Sequence, residues 1–517
     1  MPIPDVCVVG AGIAGLRCAA VLLEKGARVT IFEARDRIGG RICQSDEIGR
    51  EVDLGAQWIH TLENNPLLEI AIDEDVALHR WGSDVQVYDS GRNLIDNSRA
   101  TYISERRRAI IRDAIEYSKK HKDKIPTSTS LLDFFLERAA QEQFPDNVHD
   151  RKLLLEMAEL WGGFIGGDVS KQSLRSMWME ECAVGEDLFV STTYREIVDN
   201  VALIARRYRA IHLGMKVTGI KSITRRAPRE KGGVVVTVED GRSFPFDEVV
   251  VTTPLGWLKR HQDVFSPPLE ARLTKAIGRI GYGNLEKVSP LPPSVSIRGY
   301  ILNILGQNEK IYIKFPRAFW RETPSQKQKY GNGDPANASS PIGYLNFLSP
   351  CYAPVTNPSQ CPLEAYDLSC LPVQYASPTL LFFIWGPSAV RLTAAVRSLI
   401  PSKQFEYLKT YFKPYYSLLP HYSAGHEDCQ PQVILSTDWA GDEFAGNGSY
   451  TNFPTGVEDA SRDVDALRYG SPDRAVWFAG EHTAPSLHMG TATGAYIAGE
   501  EVAKRIIELY GMERCRL

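Results

Sequence analysis

Hydrophobic and polar positions at the start of the chain follow the order of a strand, a turn, a helix and a second strand. Residues 5–9 form a short apolar run, residues 13–25 carry apolar side chains at helical spacing, and residues 28–33 again have the composition of a strand. Gly26 stands where this helix would end, which is typical of a helix C-terminus. The pattern predicts a strand–turn–helix–strand unit over residues 5–33.

Beyond this unit, helix-rich and strand-rich blocks alternate on a coarse scale. From residue 66 to about 205 the pattern is predominantly helical. The helices predicted from apolar spacing are 104–117, 130–143, 150–161, 388–399, 403–411 and 500–510. The predicted strands are 210–212, 217–223, 233–239, 249–251, 311–316, 379–385 and 475–479. The polar stretch 322–378 is rich in Pro, Ser and Asn, and we expect it to be a long surface excursion.

The composition narrows the class of protein. A net charge of -4 and a pI near 6.3 exclude the basic footprint of a nucleic-acid-binding protein. The nine cysteines are odd in number and include no CxxC pair, which indicates reduced intracellular thiols rather than a disulfide framework or a metal site. No apolar run approaches the roughly 18 residues of a membrane-spanning helix. The apolar residues 6–23 lack a basic region before them, so we also expect no secretion signal.

The last three residues, Cys515-Arg516-Leu517, form a small-basic-leucine tripeptide similar to the S-K-L peroxisomal address. The predicted amphipathic helix before them would leave the tail accessible. We therefore expect recognition by the peroxisomal import receptor and a peroxisomal location. The alternative is a chance tripeptide on a cytoplasmic protein.

The turn after the first strand carries the sequence G-x-G-x-x-G, formed by Gly10, Gly12 and Gly15. Gly10 permits a tight turn, Gly12 lets backbone amides approach a pyrophosphate, and Gly15 lets the helix pack close to the strand. The helix N-terminus then offers unpaired N–H groups and a positive dipole end to phosphate. Glu33 follows at the end of the second strand, where a carboxylate accepts hydrogen bonds from ribose hydroxyls. Together they predict a dinucleotide site.

The segment 33–41, E-A-R-D-R-I-G-G-R, extends this site. It contains Arg35, a second glycine pair that includes Gly40, and Arg41, whose guanidinium suits a pyrophosphate. The combination of E-A-x-x-x-x-G-G-R with the preceding G-x-G-x-x-G resembles the flavin-containing amine oxidase superfamily. The resemblance implies FAD rather than NAD as the cofactor.

Further segments match the same superfamily along nearly the whole chain. Residues 53–60, D-L-G-A-Q-W-I-H, resemble the segment against the flavin face, and residues 252–256, T-T-P-L-G, resemble the return strand of the FAD-binding domain. Residues 478–483 and 490–495 resemble the C-terminal FAD motif. The cofactor-binding residues that these matches imply are Gly55, Ala56, Gln57, Trp58, Val217, Thr253, Pro254, Glu481, Thr491 and Ala492.

The resemblance assigns roles to several of these residues. The backbone of Val217 would clasp the adenine, and Glu481 would accept hydrogen bonds from ribityl hydroxyls. The amides of Thr491 and Ala492, at a helix N-terminus, would face the flavin pyrimidine. Ser449 stands where the monoamine oxidases carry a flavin-linked cysteine, so FAD is expected to be non-covalent.

The fold implied by the resemblance is α/β, with a Rossmann-like FAD-binding domain of the two-dinucleotide-binding-motif type interleaved with an α+β substrate domain. We assign 1–90, 205–260 and 430–517 to the FAD-binding domain, and 91–204 and 261–429 to the substrate-binding domain.

The implied reaction is hydride transfer from the carbon beside an amine nitrogen to flavin N5, with reoxidation by dioxygen. The chain is most similar to the intracellular, peroxisomal-type polyamine oxidases, in which a histidine aligned with His60 lies beside the flavin. His60 would contact the amine, or instead be a structural histidine that caps a turn. Tyr450 is an aromatic wall for substrate or a core tyrosine. Further acidic candidates for a polyamine are Glu180, Glu181 and Glu186.

The superfamily also uses a lysine that holds a water against N5, and two candidates exist, Lys287 and Lys310. Deleting residues 288–310 would leave G-N-L-E-K-I-Y-I-K-F-P, an uninterrupted match to the family pattern. Val288-Ser289 would be encoded by GTAAGT, a common intron donor sequence. The segment is either a retained intron or a genuine insertion loop. As an insertion it would split a strand at the active site, and we expect the full-length form to be weaker or inactive.

Other functions stay open at this stage. A histone-demethylase-like role is disfavoured because no long coiled-coil insertion or further nucleosome-binding domain is evident in the sequence. A secondary-metabolite or other amine oxidase is an alternative, as is a non-catalytic binder like the Rab GDP-dissociation inhibitors, which share the fold.

Overall fold

The computed structural model describes residues 3–60, 65–81, 85–180, 187–223, 233–282, 308–321 and 343–512. The predicted positions that lie outside the described residues are Glu181, Glu186, Lys287, residues 288–307 of the anomalous segment and the C-terminal tripeptide.

The α-helices within these ranges are α1 Ile13–Glu24, α2 Pro66–Asp73, α3 Asn97–His121, α4 Leu131–Gln141, α5 Asn147–Ala158, α6 Trp161–Ile165, α7 Arg195–Arg207, α8 Leu255–Arg260, α9 Ala271–Arg279, α10 Gly386–Ser398, α11 Pro401–Tyr416, α12 Ala460–Tyr469 and α13 Ala492–Tyr510. The strands are β1 Asp5–Val9, β2 Arg28–Phe32, β3 Gln44–Ser45, β4 Val52–Asp53, β5 Trp58–His60, β6 Leu78–His79, β7 Val85–Tyr88, β8 Asp187–Val190, β9 Ile211–His212, β10 Val217–Ser222, β11 Val234–Val238, β12 Ser243–Phe246, β13 Glu248–Val251, β14 Phe265–Ser266, β15 Gly281–Tyr282, β16 Asn308–Lys314, β17 Tyr344–Phe347, β18 Leu363–Asp367, β19 Thr379–Trp385, β20 Val433–Ser436, β21 Thr451–Asn452 and β22 Val476–Phe478.

A five-stranded parallel sheet in the order β22-β13-β1-β2-β9 contains the N-terminal strand–turn–helix–strand unit. Successive side chains of a strand point to opposite faces. Val6 and Val8 therefore pack in the same core as α1, α7 and α13, whereas Cys7 and Val9 pack in a second core with the sheet β12-β11-β10-β14. Helices and a second sheet thus cover the two faces, as the predicted α/β, Rossmann-like arrangement requires.

A six-stranded sheet in the order β20-β16-β19-β18-β17-β7 forms the centre of the second domain. The strand β16 pairs with β19 along its whole length, from Asn308 opposite Trp385 to Lys314 opposite Thr379. Ile311 and Ile313 point into a core shared with α10 and α11. The alternate residues of β16, which include Lys310, therefore point to the other face.

The region 66–205 is predominantly helical, as predicted, although the short strands β7 and β8 also lie in it. Two other expectations about organisation require correction. The stretch 322–378 is not wholly a surface excursion, because β17 and β18 lie in it and bury Leu345 and Phe347 in the sheet's core. Finally, β7 and β20 lie in ranges assigned to the FAD-binding domain but pair in the six-stranded sheet. These strands are four residues long, and their partners are distant in sequence, so no local pattern marks them.

Among the described helices none is long and apolar enough to cross a membrane. Within the same ranges no group of three or more His, Cys, Asp or Glu side chains is arranged to hold a metal ion.

Candidate active site

The glycine turn between β1 and α1 has the geometry that its sequence predicts. Gly10 adopts a positive φ of +108°. A Cβ added to Gly15 would lie 2.0 Å from the carbonyl oxygen of Gly10, so only glycine lets α1 pack this close to β1. A Cβ added to Gly12 would meet no heavy atom of the described residues within 4 Å, because this position opens into a cavity.

The cavity, of about 620 Å³, runs from the glycine turn to the six-stranded sheet. The predicted residues that line it are Gly10, Gly12, Glu33, Arg35, Gly40, Arg41, Gly55, Ala56, Gln57, Trp58, His60, Glu180, Val217, Thr253, Pro254, Lys310, Tyr450, Glu481, Thr491 and Ala492. Gly15 is the exception among the predicted cofactor residues, since it acts at the helix–strand contact. Residues from both ends of the chain, and from the five-stranded and the six-stranded sheets, therefore line the same cavity.

Glu33 ends β2 with a buried carboxylate. Its Oε2 accepts a hydrogen bond from the amide of Ala11 (2.7 Å), and its Oε1 accepts one from the amide of Arg35 (2.9 Å). Each carboxylate oxygen has a second lone pair, so these bonds fix the group and still leave it able to accept from a ligand. The guanidinium of Arg35 already forms two bonds of 2.7 Å to Asp442, which restricts its role towards a cofactor.

Arg41 and Glu481, one from each end of the chain, meet at the cavity wall. Arg41 Nη1 donates to Glu481 Oε1 (3.0 Å) and to the carbonyl oxygen of Ser449 (2.6 Å). Glu481 Oε2 in turn accepts from the amide of Thr451 (3.3 Å). This contact neutralises the buried charge of Glu481 and joins the N-terminal glycine segment to the C-terminal motif.

The segment 53–60 brings backbone and side chains to the middle of the cavity. A Cβ added to Gly55 would lie 1.6 Å from the carbonyl oxygen of Arg41, so this position too requires glycine. Gln57 Oε1 accepts from Lys310 Nζ (2.7 Å) and from the hydroxyl of Tyr312 (3.3 Å). The predicted flavin segment and the predicted lysine are thus in direct contact.

Lys310 is buried in β16, and its Nζ also donates to the carbonyl oxygen of Asp53 (3.1 Å). Burial lowers the pKa of Lys310, and burial raises the pKa of the Asp53 carboxyl, because both charged forms are taken out of water. The opposite charge of each partner counteracts the shift of the other. The uncharged amine is therefore accessible at a lower pH than in a free lysine.

The position of Lys310 bears on the anomalous segment, because the last three residues of that segment, 308–310, form the beginning of β16. The strand β16 is continuous from Asn308 to Lys314, and Lys310 pairs with Phe383 across to β19. Of the two candidate lysines, Lys310 lines the cavity, whereas Lys287 lies outside the described residues.

Several polar atoms of the cavity wall fit a ligand that carries hydroxyl, phosphate and carbonyl groups. Thr253 Oγ1, Asn308 Oδ1 and Thr451 Oγ1 are buried in cavity-lining residues, and none has a hydrogen-bond partner within the described ranges. Buried polar atoms of this kind are costly unless a partner is supplied. Together with the glycine turn, they fit the dinucleotide that the sequence predicts.

At the N-terminus of α13 the two predicted amides differ. The amide of Thr491 donates to the carbonyl oxygen of His488 (3.3 Å), so the expectation that it faces a cofactor is not met. Thr491 instead caps the helix through its hydroxyl, which accepts from the amide of Gly494 (2.9 Å). Ala492 is the first residue of α13, and its N–H has no acceptor within the helix.

His60 lines the cavity with a defined orientation. Its Nδ1 lies 2.6 Å from Asp187 Oδ1, and 23% of its side chain is exposed, against 56% for Asp187. A carboxylate accepts, so Nδ1 is the donor in this pair and Nε2 of the neutral ring is left as an acceptor. Of the predicted acidic residues, Glu180 is half-buried, and loss of solvation raises the pKa of its carboxyl to about 7.

Tyr450 lines the cavity and is half-buried, so its role as an aromatic wall for substrate stays a prediction. Its hydroxyl donates to the carbonyl oxygens of Phe164 (2.9 Å) and Gly163 (3.1 Å). The preceding Ser449 accepts from the amide of Asn308 through Oγ (3.1 Å).

The sequence did not predict a further group of cavity residues: Arg107, Trp161, Phe164, Asp187, Asn308, Tyr344, Glu364, Tyr366 and Phe383. Most of them lie on strands of the six-stranded sheet or on the helices α3 and α6. Among these residues, Asp187 is the one adjacent in sequence to a predicted residue, since it directly follows Glu186. For the others, only strand register would have shown which side chains face the cavity.

Comparison with known proteins places this geometry in a family. The model of the flavin containing amine oxidoreductases matches residues 13–507. Probable polyamine oxidase 4 of Arabidopsis thaliana is 28% identical over 333 residues, which cover 61% of this chain and 59% of that protein. Polyamine oxidase 4 of Oryza sativa subsp. japonica is 24% identical over 98% of this chain and 90% of its own length.

A relative that is not named a polyamine oxidase also matches nearly the whole of this chain. Lysine-specific histone demethylase 2 of Homo sapiens is 23% identical over 97% of this chain and 53% of its own length. The chain belongs to the flavin containing amine oxidoreductase family, whose members are FAD-dependent amine oxidases, and it binds its FAD non-covalently.

Proposed function

We propose that this chain oxidises a polyamine, such as spermine, spermidine or an N-acetylpolyamine, to an aldehyde and a shorter amine with release of hydrogen peroxide. One observation carries the proposal. A single cavity joins the cofactor-binding residues to Lys310 and continues between aromatic rings and carboxylates of the six-stranded sheet. Such walls suit a flexible chain with several ammonium groups. The relatives named polyamine oxidase support the same substrate class.

Bound FAD supplies the redox chemistry, because it accepts a hydride equivalent from the carbon beside the amine nitrogen and passes the electrons to dioxygen. The protein must exclude water and offer the amine an acceptor for its proton. Lys310 is the candidate catalytic lysine, since Gln57 Oε1 and Asp53 O fix its Nζ inside the cavity. Burial favours the uncharged amine, whose lone pair accepts a hydrogen bond from a water molecule.

His60 is the candidate acceptor for the substrate amine. Asp187 takes the Nδ1–H of the ring, which leaves Nε2 free to accept a hydrogen bond or a proton. The pair lies at the partly exposed side of the cavity, where a substrate ammonium would enter from water.

Anaerobic mixing of the FAD-bound enzyme with candidate amines tests the proposal. Spermine, spermidine or N-acetylspermine should bleach the flavin absorbance within seconds, and readmitted oxygen should restore it with release of peroxide. Bleaching by simple aromatic amines alone would show a different amine oxidase. Bleaching only by a methylated-lysine peptide would favour the histone-demethylase-like role. A flavin that no amine reduces would make the protein a non-catalytic binder.

We also propose that the enzyme works in the peroxisome, with the import receptor as partner. The support is the C-terminal tripeptide, which follows a helix ended by Gly511 in the left-handed conformation. A fluorescent protein fused at the N-terminus should give punctate fluorescence that coincides with catalase. Removal of Leu517 should make the fluorescence diffuse. Diffuse fluorescence from the intact tail would place the protein in the cytoplasm instead.

A further inference from the structure

Three side chains form a row across the cavity-facing side of the six-stranded sheet. Lys310 on β16 is opposite Phe383 on β19, and Phe383 is opposite Glu364 on β18. Residues paired in this way point to the same face of a sheet, and all three line the cavity. With strands about 4.8 Å apart, two strand spacings separate Lys310 from Glu364 by about 10 Å.

The carboxylate of Glu364 is held at the far end of this row. The hydroxyl of Tyr344 is hydrogen-bonded to it. A Cβ added to Gly163 would lie 3.4 Å from its Oε2, so the absence of a side chain there keeps the space beside it open. Burial raises the pKa of Glu364, while the Tyr344 bond and the charge of Arg107 act to lower it.

Arg107 is fixed by a different partner. Its Nη1 donates to the carbonyl oxygen of Met157 (3.2 Å), so the guanidinium is anchored to the end of α5. It lines the cavity and favours the ionised form of Glu364 through its charge. A buried carboxylate that keeps its charge is costly unless it finds a further donor.

The space between the two ends of the row is walled by aromatic rings. Lys310 Nζ lies 5.8 Å from the centroid of the Phe383 ring, and the rings of Trp58 and Tyr366 pack 5.3 Å apart. Trp161 and Phe164 stack at 4.6 Å on helix α6. Such rings contact methylene groups well and tolerate a passing cation.

Resting on the proposed function, we infer that Glu364 binds a second ammonium group of the substrate while the amine to be oxidised lies near Lys310. The methylene chain between the two nitrogens then lies along Phe383. Glu364 is accordingly a specificity-determining residue. It selects linear amines with two or more cationic nitrogens over monoamines of the same length.

The test compares a linear diamine with the alkyl monoamine of the same length, each mixed with the FAD-bound enzyme. Glu364→Gln removes the charge and keeps the size. We expect it to lower kcat/KM for the diamine by about 10- to 100-fold, mainly through KM, because the ammonium loses its opposite charge and keeps only a neutral acceptor. The monoamine should change less than about twofold. Glu364→Asp retains the charge but retracts it, and should give an intermediate loss.

Glu116→Gln is the matched control, since Glu116 lies on the surface of α3 with 54% of its side chain exposed. It should leave both substrates unchanged. A Glu364→Gln enzyme that keeps its FAD and its preference for the diamine overturns the inference.

A binding measurement separates this inference from the proposed function. In rapid anaerobic mixing, the shift of the flavin absorbance that precedes bleaching reports diamine binding, and the bleaching that follows reports oxidation. Binding that Glu364→Gln weakens, without oxidation by the native enzyme, would reject the proposed function and keep the inference. Failure of the native enzyme to bind any diamine would reject both.

Discussion

Replacing Lys310 by methionine should slow flavin reduction, reoxidation or both by about 100-fold or more while the protein keeps its FAD. Methionine is also unbranched and nearly as long as lysine, but its side chain carries no titratable proton. The Nζ contacts with Gln57 and Asp53 would be lost. Anaerobic reduction by the amine and a separate reaction with oxygen, each followed at the flavin absorbance, measure the two steps.

Lys314→Met on the same strand is the control for this change. Lys314 Nζ donates to the carbonyl oxygen of Ile48 (2.8 Å) and is absent from the cavity lining described above. We expect this variant to retain nearly the full rate. Lys310→Met enzyme with an unchanged rate in both steps would remove Lys310 from the mechanism, and loss of FAD would make its role structural.

The parts of the fold that are determined by residues close together in the sequence could be predicted from it. The glycine turn, Glu33 and the strands around them follow each other within residues 5–33, so spacing alone places them. The close contact of Gly15 with Gly10 follows from the same motif. In contrast, the six-stranded sheet joins β7, β17 and β20, which lie far apart in the sequence, and no local pattern shows that they belong to one sheet.

The same distinction between local motifs and long-range strand pairing explains which residues of the site could be predicted. The residues that belong to short motifs, such as Gln57 and Glu481, were predicted and line the cavity. Glu364 was not, because it is one polar residue in a short strand within a stretch that resembles a loop. Its position follows from its register with Phe383, and register depends on the packed sheet. The amide of Thr491 shows the opposite error, since a family role was transferred to a group that the chain itself bonds to His488.

The sequence alone left the choice between Lys287 and Lys310 open, because the same dipeptide, Glu-Lys, occurs at both places. Glu-Lys stands at 286–287, directly before the anomalous segment 288–310, and again at 309–310, as the last two residues of that segment. In β16 it is the second pair, Glu309-Lys310, that lies in the strand. Glu309 accepts from Thr437 Oγ1 (2.5 Å) and from the amides of Trp439 and Ala440, and so anchors the turn that bears the cavity residue Trp439.

Removing residues 288–310 should therefore leave an enzyme that binds FAD and oxidises the same amine at a comparable rate. The deletion joins Lys287 to Ile311, so Glu286 and Lys287 would take the places of Glu309 and Lys310 in β16. The sequence alone led us to expect a weaker full-length form; the position of Lys310 in the strand favours comparable rates instead.

A reciprocal pair of variants tests this register. Lys287→Met should have little effect in the full-length chain but should slow the flavin steps of the shortened chain by about 100-fold, as Lys310→Met does in the full-length chain. Flavin content and anaerobic reduction, measured for both forms, give the comparison. If Lys287→Met disables the full-length enzyme, Lys287 and not Lys310 serves the reaction. If the shortened chain folds without FAD, residues 288–310 are an integral insertion and the retained-intron explanation is wrong, since an excised segment must leave a complete site behind.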